Sequence, residues 1–278
     1  MIIVAGGDSF IFGSELSDQH DHIPSRLTFP ALLAGGYEYH CAAWPSNANN
    51  AISRMTVAAC EQHKNKNKIA VVTWTFLQRF EFYFNYDTKQ RLGPWQSINS
   101  WTANNLSASD LKKLFFKNDA DILLSHLQNL KTAQDTGTAH FASEFFKHVG
   151  DNEYYELYHS LKEFVFLQNY FKINHIPYLM LTADNHFYEH PNFIRSRDVY
   201  LDNLYNQIDW NNWYFFPAGS SDSETKNPRG FYQWAVENKY QLGTTHPLEE
   251  AHAAAAELLK EKFNELVTKS LESHQIRN

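Results

Sequence analysis

The feature of this sequence that most constrains its fold is the alternation of short apolar runs with longer amphipathic segments. Five runs are continuous apolar or aromatic stretches bounded by turn residues, as expected for strands of a parallel sheet covered on both faces. These runs span residues 2–6, 37–43, 69–75, 176–183 and 213–218. Helical spacing of apolar residues is found over 47–63, over 153–174 and from near Pro247 onward. The alternation predicts an α/β fold, a three-layer α/β/α sandwich around a five-stranded parallel, flavodoxin-like sheet.

The connection between the third and fourth predicted strands is far too long for a simple crossover. Its first part is rich in Asn, Ser and aromatic residues, and helical patterns follow. We interpret residues 77–150 as an insertion at the carboxyl edge of the sheet, within a single domain that spans 1–278. Trp95, Trp101 and Tyr86 of this region offer flat faces on which a sugar ring can stack, although aromatic residues more often fill a core.

Composition and charge narrow the classes of partner. The net charge is −7, from 24 basic and 31 acidic residues, and the sequence has no long basic block. This balance disfavours a nucleic-acid partner, because such binding depends on Lys and Arg neutralising phosphates. The apolar run 2–5 is too short for the core of a signal peptide, and no stretch approaches the roughly 20 apolar residues that span a bilayer. We therefore expect a cytoplasmic protein without a membrane partner, and no pattern predicts its oligomeric state.

Cofactor and metal motifs are also missing from the sequence. No Walker or GxGxxG loop is present. The histidines at positions 20, 22, 186 and 190 lack the spacing and the companion thiols or carboxylates of a metal site. The two cysteines are too few for a disulfide framework. We expect the protein to work without a cofactor or a metal.

Polar residues follow the ends of the predicted strands, where ligands bind in open α/β sheets. Ser9 follows the first strand within GDSF, and an Asn-rich turn, WPSNANN, follows the second. The segment TFLQRFE follows the third strand, and His246 directly precedes Pro247 at the start of the last helix. A serine, a turn rich in amides and a histidine are what a hydrolase needs as nucleophile, oxyanion donors and general base.

Taken in order, these segments resemble the motifs of the SGNH (GDSL) hydrolases. The resemblance rests on GDSF, AWPSNANNAI, VVTWTFLQRFEFY and the His-Pro pair that opens the last helix. It implies that Ser9 is the nucleophile of an ester hydrolase and that His246 is its general base. It also implies that the amides of Ser9 and Ser46 stabilise the oxyanion, helped by the side chain of Asn49 or Thr75.

Two positions depart from the pattern of that family, and most of residues 85–170 have no counterpart in it. Thr75 stands on or near the asparagine of the third motif, and Gly243 stands where the family carries its triad acid. A Ser-His dyad remains, with a backbone carbonyl or another carboxylate to orient the imidazole. Asp184 and Asp222, which both follow strand candidates, are possible substitutes for the acid.

Four residues beside the motifs are candidate substrate-binding residues: Asp8, Trp44, Arg79 and Glu81. We expect Asp8 to shape its loop as a hydrogen-bond acceptor and not to act as a catalyst. Arg79 and Glu81 either pair with each other or clamp a carboxylate or hydroxyl of the substrate, and the sequence leaves both open. His252, further along the last helix, is expected to be a packing or surface residue.

The sequence therefore predicts a serine ester hydrolase that acts through an acyl-enzyme on Ser9. The preferred substrate is a short acyl ester, such as an acetyl ester, of a carbohydrate or similar small molecule. Transfer of the acyl group to another alcohol would use the same residues. The alternative is a catalytically silent module that kept the fold for binding or structure. A distance of about 3.5 Å or less between Ser9 Oγ and an imidazole nitrogen of His246 favours the enzyme, and one beyond ~6 Å favours the silent module.

Overall fold

A four-stranded parallel sheet lies at the centre of the mixed α/β fold. The structure is a computed structural model that describes residues 1–84, 94–100, 137–189, 198–218 and 228–275. The strands of the sheet are β1 (Ile2–Gly6), β2 (Glu38–Cys41), β3 (Lys68–Trp74) and β6 (Tyr178–Thr182). Two further strands, β4 (Phe80–Tyr83) and β5 (Trp95–Ile98), form a separate antiparallel pair. The predicted α/β class with a parallel sheet is confirmed.

The strand order is β2-β1-β3-β6, and every neighbouring pair is parallel. The predicted fifth strand over 213–218 is not confirmed as a strand of this sheet. Its residues make only isolated bridges, one from Trp213 to Met180 beside β6 and one from Phe216 to Arg229. The aromatic side chains of that segment are instead used in packing, since Trp213 and Phe216 are both buried in apolar clusters.

The helices include the three that the periodic patterns predict, Asn49–Gln62, Glu153–Ile173 and Glu249–Gln275. They are α1 (Ser9–Phe12), α2 (Phe29–Ala34), α3 (Asn49–Gln62), α4 (Thr138–Phe145), α5 (Glu153–Ile173), α6 (His186–Glu189), α7 (Val199–Asn206), α8 (Phe231–Glu237) and α9 (Glu249–Gln275). A short π-helical turn, Phe146–Gly150, precedes α5, and a 3₁₀ turn, Trp210–Asn212, follows α7. Among the described residues, no helix is both long enough and apolar enough to cross a membrane.

Alternate residues of the central strands belong to two different apolar clusters. Val4 and Val72 pack in one cluster with residues of α3 and α5. Ile3 and Val71 pack in the other, with residues of α2, α8 and α9. This division follows from the pleat, which points successive side chains of a strand to opposite faces of the sheet. β2, at one edge of the sheet, differs, because its residues are exposed or half-buried, whereas β6 at the other edge is buried.

The insertion carries a small apolar cluster of its own. In the described parts of 77–150, β4 and β5 pair with each other, and Phe80 and Ile98 pack against Ala142 and Phe146. β4 also contacts α3, so this pair of strands lies against the first turns of that helix. The single-domain organisation and the bounds of the insertion stay predictions.

A buried histidine in α9 makes the stability of the protein depend on pH. His252 Nδ1 accepts a hydrogen bond from the Phe29 amide at 3.2 Å, and the ring packs against Phe29 and Phe231. Desolvation by burial lowers the pKa of His252 to about 3. Since a histidine in an unfolded chain has a pKa of about 6.5, the unfolded state takes up this proton first. Stability is therefore lost as the pH falls from about 6.5 toward 3.

We expect His252→Asn to weaken this pH dependence, because asparagine offers an acceptor to the Phe29 amide and does not titrate. Between about pH 7.5 and pH 5, the free energy of unfolding of the wild type should fall by about 2 kcal/mol more than that of the variant. Urea unfolding at the two pH values measures this difference. The pKa of His159 is also lowered by burial, to about 4, but His159 titrates in both proteins and cancels. Equal losses in both proteins would contradict the prediction.

Candidate active site

The candidate site lies at the ends of β1 and β3, two adjacent strands from which the chain continues in opposite directions across the sheet. From β1 the chain proceeds to β2 on one side, and from β3 it proceeds to β6 on the other. In open α/β sheets such a reversal opens a crevice at the carboxyl ends of the strands. Ser9 follows β1, Trp44 follows β2 and Thr75 follows β3, so the sequence motifs meet at this edge.

Ser9 is the first residue of the short helix α1, directly after β1. Asp8 caps the helix, because its Oδ1 accepts a hydrogen bond from the Phe10 amide at 3.0 Å. Ser9 retains 8% of its surface exposed. Among the described residues, no acceptor lies within hydrogen-bond distance of the Ser9 amide. The turn therefore presents both a hydroxyl and an unused N–H group.

His246 contacts the hydroxyl of Ser9 directly. His246 Nε2 lies 2.8 Å from Ser9 Oγ, which is within the limit of about 3.5 Å that favours the enzyme. The histidine is held in a tight loop, in which the Gly243 amide donates to the His246 carbonyl at 2.8 Å and the Leu248 amide donates to the Gln241 carbonyl at 3.0 Å. The structure thus brings together the two residues that the sequence pairs only through their motifs.

A carboxylate that sequence reasoning missed, Glu15, lies on the other side of the imidazole. Glu15 Oε1 is 2.8 Å from His246 Nδ1, and it also accepts a hydrogen bond from the Thr245 hydroxyl at 2.8 Å. Desolvation raises the pKa of Glu15, but the hydrogen bonds and charge of His246 and the bonds from Thr245 outweigh it, so the net pKa lies below its usual value. Glu15 is therefore ionised at neutral pH and aligned with His246 and Ser9.

Gly243 explains how a carboxylate from another segment fits here. A Cβ atom at position 243 would lie only 2.0 Å from Glu15 Oε2. The carboxyl group of Glu15 thus occupies the space that a side chain at 243 would need. Asp184, proposed above as a substitute acid, does not fill this role, because Glu15 occupies the position at His246 Nδ1, while Asp184 Oδ1 accepts a hydrogen bond from the His186 amide. Asp222 lies outside the described residues.

The loop that carries Glu15 has an unusual backbone. Gly13 ends α1 with a φ of 80°, and Glu15 itself has a φ of 74°. A non-glycine residue in this left-handed region costs about 1 kcal/mol or more and persists only where the surroundings hold it. Here the Ser17 amide donates to Glu249 Oε1 at 2.8 Å, which ties the loop to the start of α9. In this backbone conformation the Glu15 carboxylate contacts His246.

Ser46, the second predicted amide donor, adopts a conformation that favours glycine. Its φ is 66°, and the residue is exposed. The glycine of the related motif would take this conformation without strain. No acceptor for the Ser46 amide lies among the described residues. The turn is held by Asn47, whose Nδ2 donates to the Gly7 carbonyl at 2.9 Å, so it lies beside the Ser9 turn.

The two side chains predicted as further oxyanion donors are engaged elsewhere. Asn49 is fully buried, and its Nδ2 donates to Ser160 Oγ at 3.0 Å while its Oδ1 accepts from the Thr75 amide at 2.9 Å. The Thr75 hydroxyl donates to Asp8 Oδ2. The oxyanion roles predicted for Asn49 and Thr75 are therefore wrong for this structure, because internal bonds use their donors.

Three of the predicted substrate-binding residues, Asp8, Arg79 and Glu81, form ion pairs within the protein. Asp8 is fully buried and pairs with Arg79, so it shapes the loop as expected but does not face a substrate. Glu81 pairs with Arg54 through two hydrogen bonds, of 2.9 and 2.6 Å. Of the two alternatives left open for Arg79 and Glu81, the pair between them is therefore not formed. Glu81 anchors β4 to α3, since its amide and its carbonyl both bond to the Asn50 side chain.

The aromatic residues predicted to bind the substrate differ in the side chains that they contact. Trp44 is half-buried, stacks on His22 with ring centroids 5.7 Å apart and meets the edge of Phe12 at 5.2 Å. Trp95 lies under the Arg54 guanidinium at 4.6 Å. Tyr86 and Trp101 lie outside the described residues. The contribution of these rings to sugar binding stays a prediction.

Comparisons with known proteins identify no relative of this chain. No family model matches the chain, and neither a curated protein nor a solved structure matches it. Within the described residues, no group of three or more His, Cys, Asp or Glu side chains is arranged to hold a metal ion. The case for a function therefore rests on the geometry of Ser9, His246 and Glu15.

Proposed function

We propose that the protein is a serine ester hydrolase of the SGNH type, with Ser9, His246 and Glu15 as its catalytic triad. The observation that carries the proposal is the continuous line of contacts, 2.8 Å from Ser9 Oγ to His246 Nε2 and 2.8 Å from His246 Nδ1 to Glu15. The proposal includes a three-layer α/β/α arrangement, supported by apolar clusters that take alternate residues of β1 and β3.

The geometry supports a two-step acyl transfer. In the first step, Ser9 Oγ attacks the acyl carbon while His246 Nε2 takes the hydroxyl proton. The tetrahedral intermediate then collapses, its bond to the alcohol breaks, and the alcohol leaves with that proton. In the second step His246 Nε2 takes a proton from water as the water attacks the acyl carbon. The bond from that carbon to Ser9 Oγ then breaks, Ser9 Oγ takes the proton back from His246, and the acid is released. Glu15 keeps Nδ1 protonated and stabilises the imidazolium that forms in each step.

The triad acid weakens the case for a catalytically silent module. That alternative is motivated by the missing acid at Gly243 and by the missing asparagine near Thr75, and Glu15 removes the first of these reasons, because it supplies a carboxylate at His246 Nδ1. The substrate we propose is a short acyl ester, such as an acetyl ester, of a carbohydrate or similar small molecule. Its support is the half-buried ring of Trp44, which lies on the turn between β2 and Ser46. Transfer of the acyl group to an alcohol other than water would follow the same steps.

Labelling with a fluorophosphonate probe tests the proposal, because the probe reacts readily with an activated serine and an ordinary serine does not displace its fluoride at a useful rate. We expect a single modified peptide that carries the label on Ser9, and we expect Ser9→Ala and His246→Ala to lose the label. Ser14→Ala and His20→Ala are matched controls: the hydrogen bond of Ser14 to the triad, at 3.0 Å to the Ser9 carbonyl, comes from its backbone amide, which alanine keeps, and His20 is exposed. Both should label like the wild type. A folded wild-type protein that takes up no label would contradict the proposal and favour the silent module.

A further inference from the structure

The proposed reaction needs hydrogen-bond donors for the oxyanion, and the side chains expected to help are engaged elsewhere. The amides of Ser9 and Ser46 have no acceptor among the described residues. The donors of Asn49 and Thr75 are used in buried internal bonds. Loss of one oxyanion donor typically costs 10²–10³ in rate. Another side chain near the two turns is therefore of interest.

The guanidinium of Arg79 lies between the segments that carry the two free amides. Its Nη1 is 2.9 Å from Asp8 Oδ2, directly before Ser9, and 3.5 Å from the carbonyl oxygen of Asn47, directly after Ser46. Nη1 is also 2.9 Å from Thr75 Oγ1. The Arg79 guanidinium thus lies at the tip of the Thr75 side chain, where a longer side chain at position 75 would place its donor.

Arg79 also has unused donors. Its hydrogen bonds to the described residues all come from Nη1, and neither Nε nor Nη2 has a hydrogen-bond partner among those residues. The side chain is 18% exposed, whereas that of Asp8 is fully buried. One part of the guanidinium is therefore fixed by the protein, and the remaining N–H groups are available to a bound molecule.

The ion pair with Asp8 determines what kind of ligand these donors suit. The Asp8 carboxylate offsets the charge of Arg79, so the pair is neutral as a unit. A neutral pair gives little advantage to a substrate that carries a permanent negative charge. Charge-assisted donors that are already fixed in place do stabilise a negative charge that develops during the reaction.

We infer that Arg79 is a catalytic residue that donates a hydrogen bond from Nε or Nη2 to the oxyanion of the tetrahedral intermediate. It acts beside the amides of Ser9 and Ser46, in place of a donor from Thr75. The inference rests on the proposed ester hydrolysis and adds the group that binds the developing charge.

The test compares Arg79→Met with its parent in an Asp8→Asn background, because removal of Arg79 alone would leave Asp8 buried without its partner. On p-nitrophenyl acetate, we expect kcat to fall by about 10²–10³ while KM changes little, since the interaction forms only in the transition state. A trifluoromethyl ketone, which forms a tetrahedral adduct with the serine, should lose affinity by a similar factor. Arg26→Met is a matched control at an exposed arginine and should leave all three quantities unchanged.

The outcomes separate this inference from the proposed function. Failure of the wild type both to hydrolyse the ester and to take up the fluorophosphonate would overturn both. An active wild type with an unchanged kcat in Arg79→Met, or a loss of kcat without a loss of inhibitor affinity, would overturn the role of Arg79 alone. Arg79→Lys in the wild-type background keeps a cation beside Asp8 and guards against misfolding. Its kcat should still fall at least ~10-fold, because an ammonium group does not reproduce the planar set of donors, and an unchanged kcat there would also overturn the inference.

Discussion

Glu15→Gln is expected to lower kcat by about 10⁴ with little change in the fold. A glutamine can hold the imidazole in place, but its amide can present an N–H group to Nδ1, which favours the wrong tautomer. It also removes the negative charge that stabilises the imidazolium. In a serine protease triad, replacement of the acid by its amide has an effect of this size. Because Glu15 and His246 are 2.8 Å apart, the same dependence is expected here.

Rates of ester hydrolysis and of fluorophosphonate labelling at Ser9 measure this effect. Glu250→Gln is the matched control, since it makes the same change on the exposed face of α9 near His246. Thermal unfolding of both variants checks that the fold is kept. Activity of Glu15→Gln within about threefold of the wild type would show that Glu15 has no catalytic role.

A second large effect is expected when the acid is moved from position 15 to position 243. Glu15→Ala should lose activity by about 10³–10⁴, because His246 then has no carboxylate at Nδ1. Adding Gly243→Asp should restore activity by at least ~10-fold, because a side chain at 243 enters the space that Glu15 vacates. In the wild type, Gly243→Asp should instead lower activity, because its Cβ would lie 2.0 Å from Glu15 Oε2.

The matched control for the relocation is Gly243→Asn in the Glu15→Ala background. Asparagine fills the same volume without a charge, so it should restore no activity. Hydrolysis of p-nitrophenyl acetate by the four variants gives the comparison. Equal activity of the Asp and Asn double variants would show that the space matters and the carboxylate does not. If the Glu15→Ala/Gly243→Asp variant is folded but recovers no activity, the prediction that a carboxylate from position 243 can replace Glu15 at His246 is contradicted.

Much of the fold could be predicted because its signals are local. Continuous apolar runs predict buried strands, and β1, β3 and β6 lie within one or two residues of the predicted runs. The run over 213–218 is equally aromatic, yet it makes a single bridge to β6. Composition alone does not separate a strand from an extended segment that packs its aromatic rings, because both bury the same side chains.

In the candidate site, too, some residues could be predicted from local signals and others could not. Ser9 and His246 are predictable because Ser9 lies within GDSF directly after a strand and His246 directly precedes the proline near the start of the last helix. Asn49, Thr75 and Glu81 were assigned to the site by position, but their donors and charges bind other parts of the protein. The direction of a side chain depends on what packs around it, and neighbouring positions in a motif do not contain that information.

The sequence by itself determined the α/β class, the positions of three helices and of the four strands of the central sheet, and a serine and a histidine at one edge of the sheet. These follow from periodicity, turn chemistry and residue type, which act over a few neighbouring positions. The tertiary structure alone decided that Glu15 contacts His246, across 231 positions of the chain, and that Arg79 pairs with Asp8 across 71. Such pairs depend on which strand ends become neighbours, and no local pattern encodes that choice.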